Sequence, residues 1–179
     1  MKTPLSDEMK VGGVLTAAIK AQFPERAVIQ GADVSDHDGL IIVKRHNAFL
    51  TQGLQRVIDR LFEPLTGANT GLSHIGLGGD NTAVTASTTT LGTPNNIKPL
   101  TNTSRALTYG QGEATWTNVD VAFPIYKAGL LWGTAPTDVA NIIGGSGGSA
   151  PYDRSFTMDL TNAGEWTMTV RIRVTALAL

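Results

Sequence analysis

The final stretch of the chain, residues 165–176, most constrains what it can fold into. It reads Glu-Trp-Thr-Met-Thr-Val-Arg-Ile-Arg-Val-Thr-Ala. Trp166, Met168, Val170, Ile172 and Val174 fall on one side, and Thr167, Thr169, Arg171, Arg173 and Thr175 on the other. Side chains of a β-strand alternate between faces, so this pattern predicts a half-buried strand with one dry and one wet face. Fully extended it spans roughly 35 to 40 Å, more than a typical strand. Phe156, Met158 and Leu160 alternate in the same way just before it, and Thr161-Asn162-Ala163-Gly164 supplies turn residues. Together they predict an antiparallel hairpin over residues 154–176.

Composition fits a β-rich chain. Only 16% of the 179 residues are charged and 20 are glycine, while the formal net charge is −1. Low charge and many turn-forming glycines suit a loop-rich β protein that hides surface in an assembly. A near-neutral chain offers no polyanion-binding surface, so no nucleic-acid partner is expected. Without cysteine there is no disulfide, thiol nucleophile or thiolate zinc site. The opening residues, interrupted by Asp7, Glu8 and Lys10, do not read as a signal peptide, and no window reaches eighteen apolar residues, so no membrane partner is expected.

In chain order, residues 1–42 read as an arm or peripheral strands, with 31–39 as loop and Leu40-Ile41-Ile42-Val43 as a short buried strand. Asn47 then stands as an N-cap before Leu50, Leu54, Val57, Ile58 and Leu61 at helical spacing. Those positions predict one amphipathic helix over about 48–62, stopped by Pro64. Residues 66–104 are a polar meander holding a strand at Leu72-Ser73-His74-Ile75-Gly76-Leu77-Gly78, with Leu91 as a single anchor. Strands are expected at 105–109, at 114–123 with a bulge near Asn118, and at 128–132. The expected fold is mainly β: an antiparallel two-sheet β-sandwich over residues 43–179, covered by one helix, with residues 1–42 as an N-terminal arm.

The order of these pieces resembles a group of small bacteriophage virion structural proteins, tail-associated and β-rich. The pieces that match are Asn47 with Thr51-Gln52-Gly53-Leu54, then His74-Ile75-Gly76-Leu77-Gly78-Gly79. The Thr/Ala/Ser-rich run from Thr82 leads to Leu91-Gly92, followed by Tyr126-Lys127-Ala128-Gly129-Leu130 and the closing strand. The resemblance covers roughly residues 43–176. Lys127 departs from it, standing where an acidic residue often precedes Ala-Gly, with an altered surface contact as the expected consequence. Residues 1–42 have no counterpart in the group. The resemblance implies a non-enzymatic subunit of the virion, at the tail tip or another tail position. Its partners would be copies of itself and other phage structural proteins. Two alternatives are a capsid decoration (cement) protein and a receptor- or glycan-binding module whose partner is host-surface glycan.

Candidate site residues are weighed against plainer roles. Asp33, Asp36, His37 and Asp38 hold the densest set of ligand types, but they lack the spacing of a calcium loop and read as a solvated acidic turn. His37, His46 and His74 match no zinc signature, and Gly76-Leu77-Gly78-Gly79-Asp80 matches no phosphate loop. Glu113 and Asp120 are the best carboxylate pair for glycan hydrolysis, without a spacing that fixes their geometry. No catalytic, cofactor or metal residue is therefore expected. The candidate interface residues are Trp132, Tyr152, Arg171, Arg173 and His74, and Trp166 is expected in the core.

Overall fold

The computed structural model describes residues 10–49, 72–85, 87–106, 109–132, 139–144 and 155–177. Among them are twelve strands: β1 (Lys10–Ala21), β2 (Val28–Gln30), β3 (Asp33–His37), β4 (Leu40–Phe49), β5 (Leu72–Gly78) and β6 (Asn95–Pro99), then β7 (Thr101–Arg105), β8 (Tyr109–Thr117), β9 (Lys127–Trp132), β10 (Val139–Gly144), β11 (Thr157–Asp159) and β12 (Trp166–Leu177). The fold is mainly β and antiparallel, as expected. The helical content is not. Among the described residues the sole helical element is a 3-10 turn at Pro24–Arg26. Asn47, expected to cap a helix, lies inside β4, which runs on to Phe49. The rest of the expected helix, 50–62, lies outside the described residues.

The sandwich with an N-terminal arm is also corrected. The main strands form one path, β6-β5-β9-β10-β4-β1-β12-β8-β7, with β3 added on β4, and β11-β2 is a separate small sheet. By face this makes three antiparallel sheets, the two large ones sharing β4. Residues 40–47 of β4 pair with β1, whereas Ala48 and Phe49 pair with β10. The two ends of the path meet as well, because β6 and β7 are separated by Leu100 alone. A strand that changes sheet at each corner rolls the path around its own core.

The expected arm is the middle of this roll. β1 pairs with β12 over its whole length and with β4 over Gly13–Lys20. Leu15, Ala17 and Ile19 point inward, fully buried. The small residues Gly13 and Ala17 in the inward row lower the apparent hydrophobicity of a central strand. The closing strand follows its expected faces: Trp166, Met168, Val170 and Ile172 are buried. It does not form the expected hairpin, since its flanks are taken by β1 and β8, while β11 pairs with β2. Phe156, Met158 and Leu160 still fill the same core.

Smaller corrections follow. Asp38 (φ 54°) and Gly39 (φ 79°) form a two-residue turn between β3 and β4 where a loop was expected. An Asp-Gly pair with both φ positive suits such a hairpin. Gly110 and Gly112, in the gap between the strands expected at 105–109 and 114–123, lie within β8. The expected bulge near Asn118 is instead the end of β8, where the chain turns at Thr117–Asp120.

Candidate interaction surface

From the polar meander after β5, Val84 and Leu91 pack on the outer face of the β5–β9 pair, which explains how the described part of it holds its place. Gly76 pairs with Gly129 and Leu77 with Ala128, so two strands distant in sequence meet at their glycines. A Cβ on Gly76 would overlap the Leu91 side chain, and one on Gly78 would stand 2.6 Å from the Leu91 carbonyl oxygen. The glycines therefore leave room for Leu91, which is buried with Val84 and Leu131 in a second small cluster. Leu91 is the anchor that the sequence pointed to.

Lys127 is on that same covered face. It is 2% exposed, not a surface contact. Its ammonium donates to Asp80 Oδ2 and to Thr82 Oγ1, both at 2.8 Å. Asp80 also accepts from the Thr82 amide (3.0 Å) and hydroxyl (2.6 Å). The Lys127 hydrogen bond, with help from Thr82, holds the Asp80 carboxyl below its ordinary range, against the opposing effect of burial. Sequence reading missed this pair. Its one signal was a lysine inside an otherwise apolar strand.

A second polar knot ties β6 to the turn after β8. Lys98 donates to Asp120 Oδ2 at 2.7 Å, and that carboxylate accepts the Thr117 amide (2.8 Å) and hydroxyl (3.0 Å). Asn96 donates to the Asp120 carbonyl and accepts the Trp116 indole N–H, both at 2.9 Å. Asp120 is likewise held below its ordinary range, chiefly by Lys98. Glu113 is lowered by Asn102 first and Arg171 second. Glu113 and Asp120, the carboxylates considered for hydrolysis, thus sit in separate networks that favour their charged forms. A general acid needs the opposite shift.

The expected interface residues separate. Arg171 and Arg173 stand exposed on the wet face of β12, and both lean across β8. Arg171 Nε donates to Glu113 Oε1 at 2.6 Å, opposite it in register. Arg173 donates to Gln111 at 3.1 Å, with its guanidinium 4.2 Å from the Tyr109 ring centroid. The carboxylate that meets Arg171, a candidate interface residue, comes from the neighbouring strand of the same chain. Trp132 is half-buried at the end of β9, outside both buried clusters. His74 is half-buried on β5, its Nδ1 2.8 Å from the Ser73 hydroxyl. Tyr152 lies outside the described residues. Asp33, Asp36 and Asp38 are exposed, and Asp36 Oδ1 accepts the Gly39 amide at 3.0 Å, fastening the hairpin turn. Among the described residues no group of three ligand-type side chains converges on a metal site.

Among the described residues five large apolar side chains are also exposed. Val119 is 86% exposed at the turn after β8, and Val28, Val34, Leu40 and Leu72 are each more than a third exposed. Val34 lines a groove of about 420 Å³ with Ala27, Ile29 and Ile41. Among the described residues β3 pairs on its β4 side alone and β7 on its β8 side alone, and every residue of both strands is exposed. No protein-family model, curated protein or solved structure matches the chain.

Proposed function

We propose that this chain is a structural subunit of a bacteriophage particle, tail-associated, working through contacts with copies of itself and with other particle proteins. One observation carries the reading. The sequence pieces behind the resemblance, Ile75-Gly76-Leu77-Gly78, Leu91-Gly92 and Ala128-Gly129-Leu130, assemble into one unit of framework, with strand on strand and Leu91 packed over the glycines. Residues so used build a scaffold rather than line a reaction site. Exposed apolar side chains, and strands β3 and β7 that each pair on one side alone among the described residues, would give such a scaffold surfaces for further copies.

The test is to locate the protein in intact particles by electron microscopy with a tag at the C-terminus. Label on the tail agrees with the proposal. Label on the capsid shell transfers the scaffold to the cement role, and the absence of label from purified particles overturns the virion reading.

A further inference from the structure

The turn between β3 and β4 joins a reactive dipeptide to a restraint. Asp38-Gly39 sets an aspartate carboxyl beside a peptide nitrogen whose own residue carries no side chain, the least hindered setting for closing a five-membered ring. Asp38 is exposed, and nothing lies within 4 Å of where a Gly39 Cβ would stand, so water reaches both residues. Asp38 (φ 54°) and Gly39 (φ 79°) are the left-handed pair of a two-residue hairpin. With the left-handed ψ of roughly +47°, the Gly39 nitrogen stands nearly opposite the Asp38 Cβ about the Cα–C bond. Ring closure needs the two eclipsed. Rotation about that bond also sets where the Gly39 N–H points, and this N–H donates to Asp36 Oδ1 at 3.0 Å. The rotation that prepares the ring therefore breaks the hydrogen bond to Asp36.

We propose that Asp38 is a site of spontaneous backbone modification, isomerising to isoaspartate in the folded protein, and that Asp36 is the residue that restrains it. In the first step the Gly39 nitrogen bonds to Asp38 Cγ and gives up its proton, the carboxyl loses an oxygen, and one water leaves a succinimide behind. In the second step one water adds back. Entry at the side-chain carbonyl restores aspartate. Entry at the main-chain carbonyl leaves the chain running through Cβ and Cγ, with the former main-chain carbonyl as a carboxylate. Mass and oxidation state are unchanged, and water is the sole co-reactant. The folded chain can react because an exposed turn opens locally at little cost. Asp36 slows the reaction because its hydrogen bond is given up first. The product lengthens the main chain by one methylene, and a two-residue turn so altered no longer sets His37 opposite Leu40. Among the described residues β3 pairs on its β4 side alone, so its attachment to the sheet depends on that register.

Ageing the folded full chain near neutral pH tests this, with peptide mapping by electron-transfer fragmentation, which separates the two linkages at equal mass. The same chain unfolded in guanidinium gives the unrestrained rate. Isoaspartate at Asp38 should accumulate in the folded protein, more slowly than in the unfolded chain. Asp36→Ala should speed it by roughly three- to tenfold, the range that one exposed hydrogen bond spans. Asp36→Asn keeps an oxygen acceptor and should stay nearer the wild-type rate. Asp36 is exposed, so both variants should fold, and circular dichroism checks that they do. A folded protein that stays free of isoaspartate while the unfolded chain converts overturns the site. An Asp36→Ala rate equal to wild type overturns the restraint. A slower rate overturns it too, and marks the Asp36 carboxylate as a base that assists ring closure.

Discussion

Replacing Asp80 with Asn should destabilise the protein far more than replacing Lys127 with Met, although both changes remove the same ion pair. The Lys127 side chain is 2% exposed and that of Asp80 is 23% exposed. Asp80→Asn keeps the shape but leaves a buried ammonium with the Thr82 hydroxyl and an amide oxygen as its partners. Removing one member of a buried pair costs roughly 3–5 kcal/mol. The partial exposure of Asp80 lets water in and favours the lower end, about 3 kcal/mol. Lys127→Met removes the charge, fills similar volume with a flexible apolar chain, and leaves Asp80 its two Thr82 hydrogen bonds and access to solvent. Its cost should be about 1 kcal/mol or less, since hydrophobic replacements of buried ions are often neutral. Urea unfolding followed by tryptophan fluorescence reads the difference. With a slope of about 2 kcal/mol/M, Asp80→Asn lowers the midpoint by about 1.5 M and Lys127→Met by about 0.5 M or less. The double variant should recover most of the Asp80→Asn loss, because no buried charge remains. If Lys127→Met were as damaging as Asp80→Asn, or the double variant no better than Asp80→Asn, the desolvated ammonium would not be the source of the cost.

Two further predictions concern acid and backbone. Asp80, Asp120 and Glu113 all have carboxyls held below their ordinary range in the folded protein. Their contribution is therefore complete above the unfolded carboxyl value near ~4 and is lost as pH falls through the lower folded values. Unfolding free energy should decline on acidification below about pH 4, and Asp120→Asn should flatten that decline; a wild-type profile flat through this window would refute the assignment. Among the glycines, Gly31→Ala should be severe. Its φ is +72°, and a Cβ there would overlap the Ser155 carbonyl. Gly39→Ala meets only the positive φ in open space and should cost about 1 kcal/mol. Gly110→Ala, with neither obstacle, should lie within about 1 kcal/mol of wild type on either side. Thermal or urea unfolding of the three variants checks the order.

What was legible in the sequence was faces; what was hidden was neighbours. Period-two alternation placed Trp166, Met168, Val170 and Ile172 inside without error, because burial acts on each side chain separately. The same alternation does not say which strand lies alongside. β11 and β12 follow one another with turn residues between, yet they pair with β2 and with β1 and β8. Central β1 was hidden because glycine and alanine occupy inward places where valine or isoleucine would have announced it. The Asp38-Gly39 turn carried a readable signal, passed over because three acidic residues around it suggested open loop. At the candidate surface, the exposure of Arg171 and Arg173 was legible, while the strand-to-strand partners Glu113 and Gln111 required the register. Lys127 was misread because its exposure is set by the residues that cover β9, and that depends on tertiary packing rather than on residue type.

The segment 79–94 changes what kind of binding surface the molecule can offer. Its composition suggests a loop that would have to be ordered on contact with a partner, at an entropic cost of roughly 1–2 kcal/mol per fixed residue. The fold has already fixed much of it: the Lys127 ammonium holds Asp80 and Thr82, Leu91 and Val84 sit in a closed apolar cluster, and the Gly79 amide donates to the Pro94 carbonyl at 2.7 Å. The turn bearing Val119 is fixed in the same way by Asp120 and Lys98. Surfaces ordered before contact retain more of their burial energy as affinity. The two ion pairs at Lys127 and Lys98 thereby hold these outer segments in one arrangement. Asp120→Asn should loosen the turn that bears Val119, seen as faster amide exchange there, as well as lower the unfolding midpoint. Asp80→Asn, which leaves that turn untouched, should lower the midpoint and leave amide exchange at the turn unchanged wherever the chain is still folded.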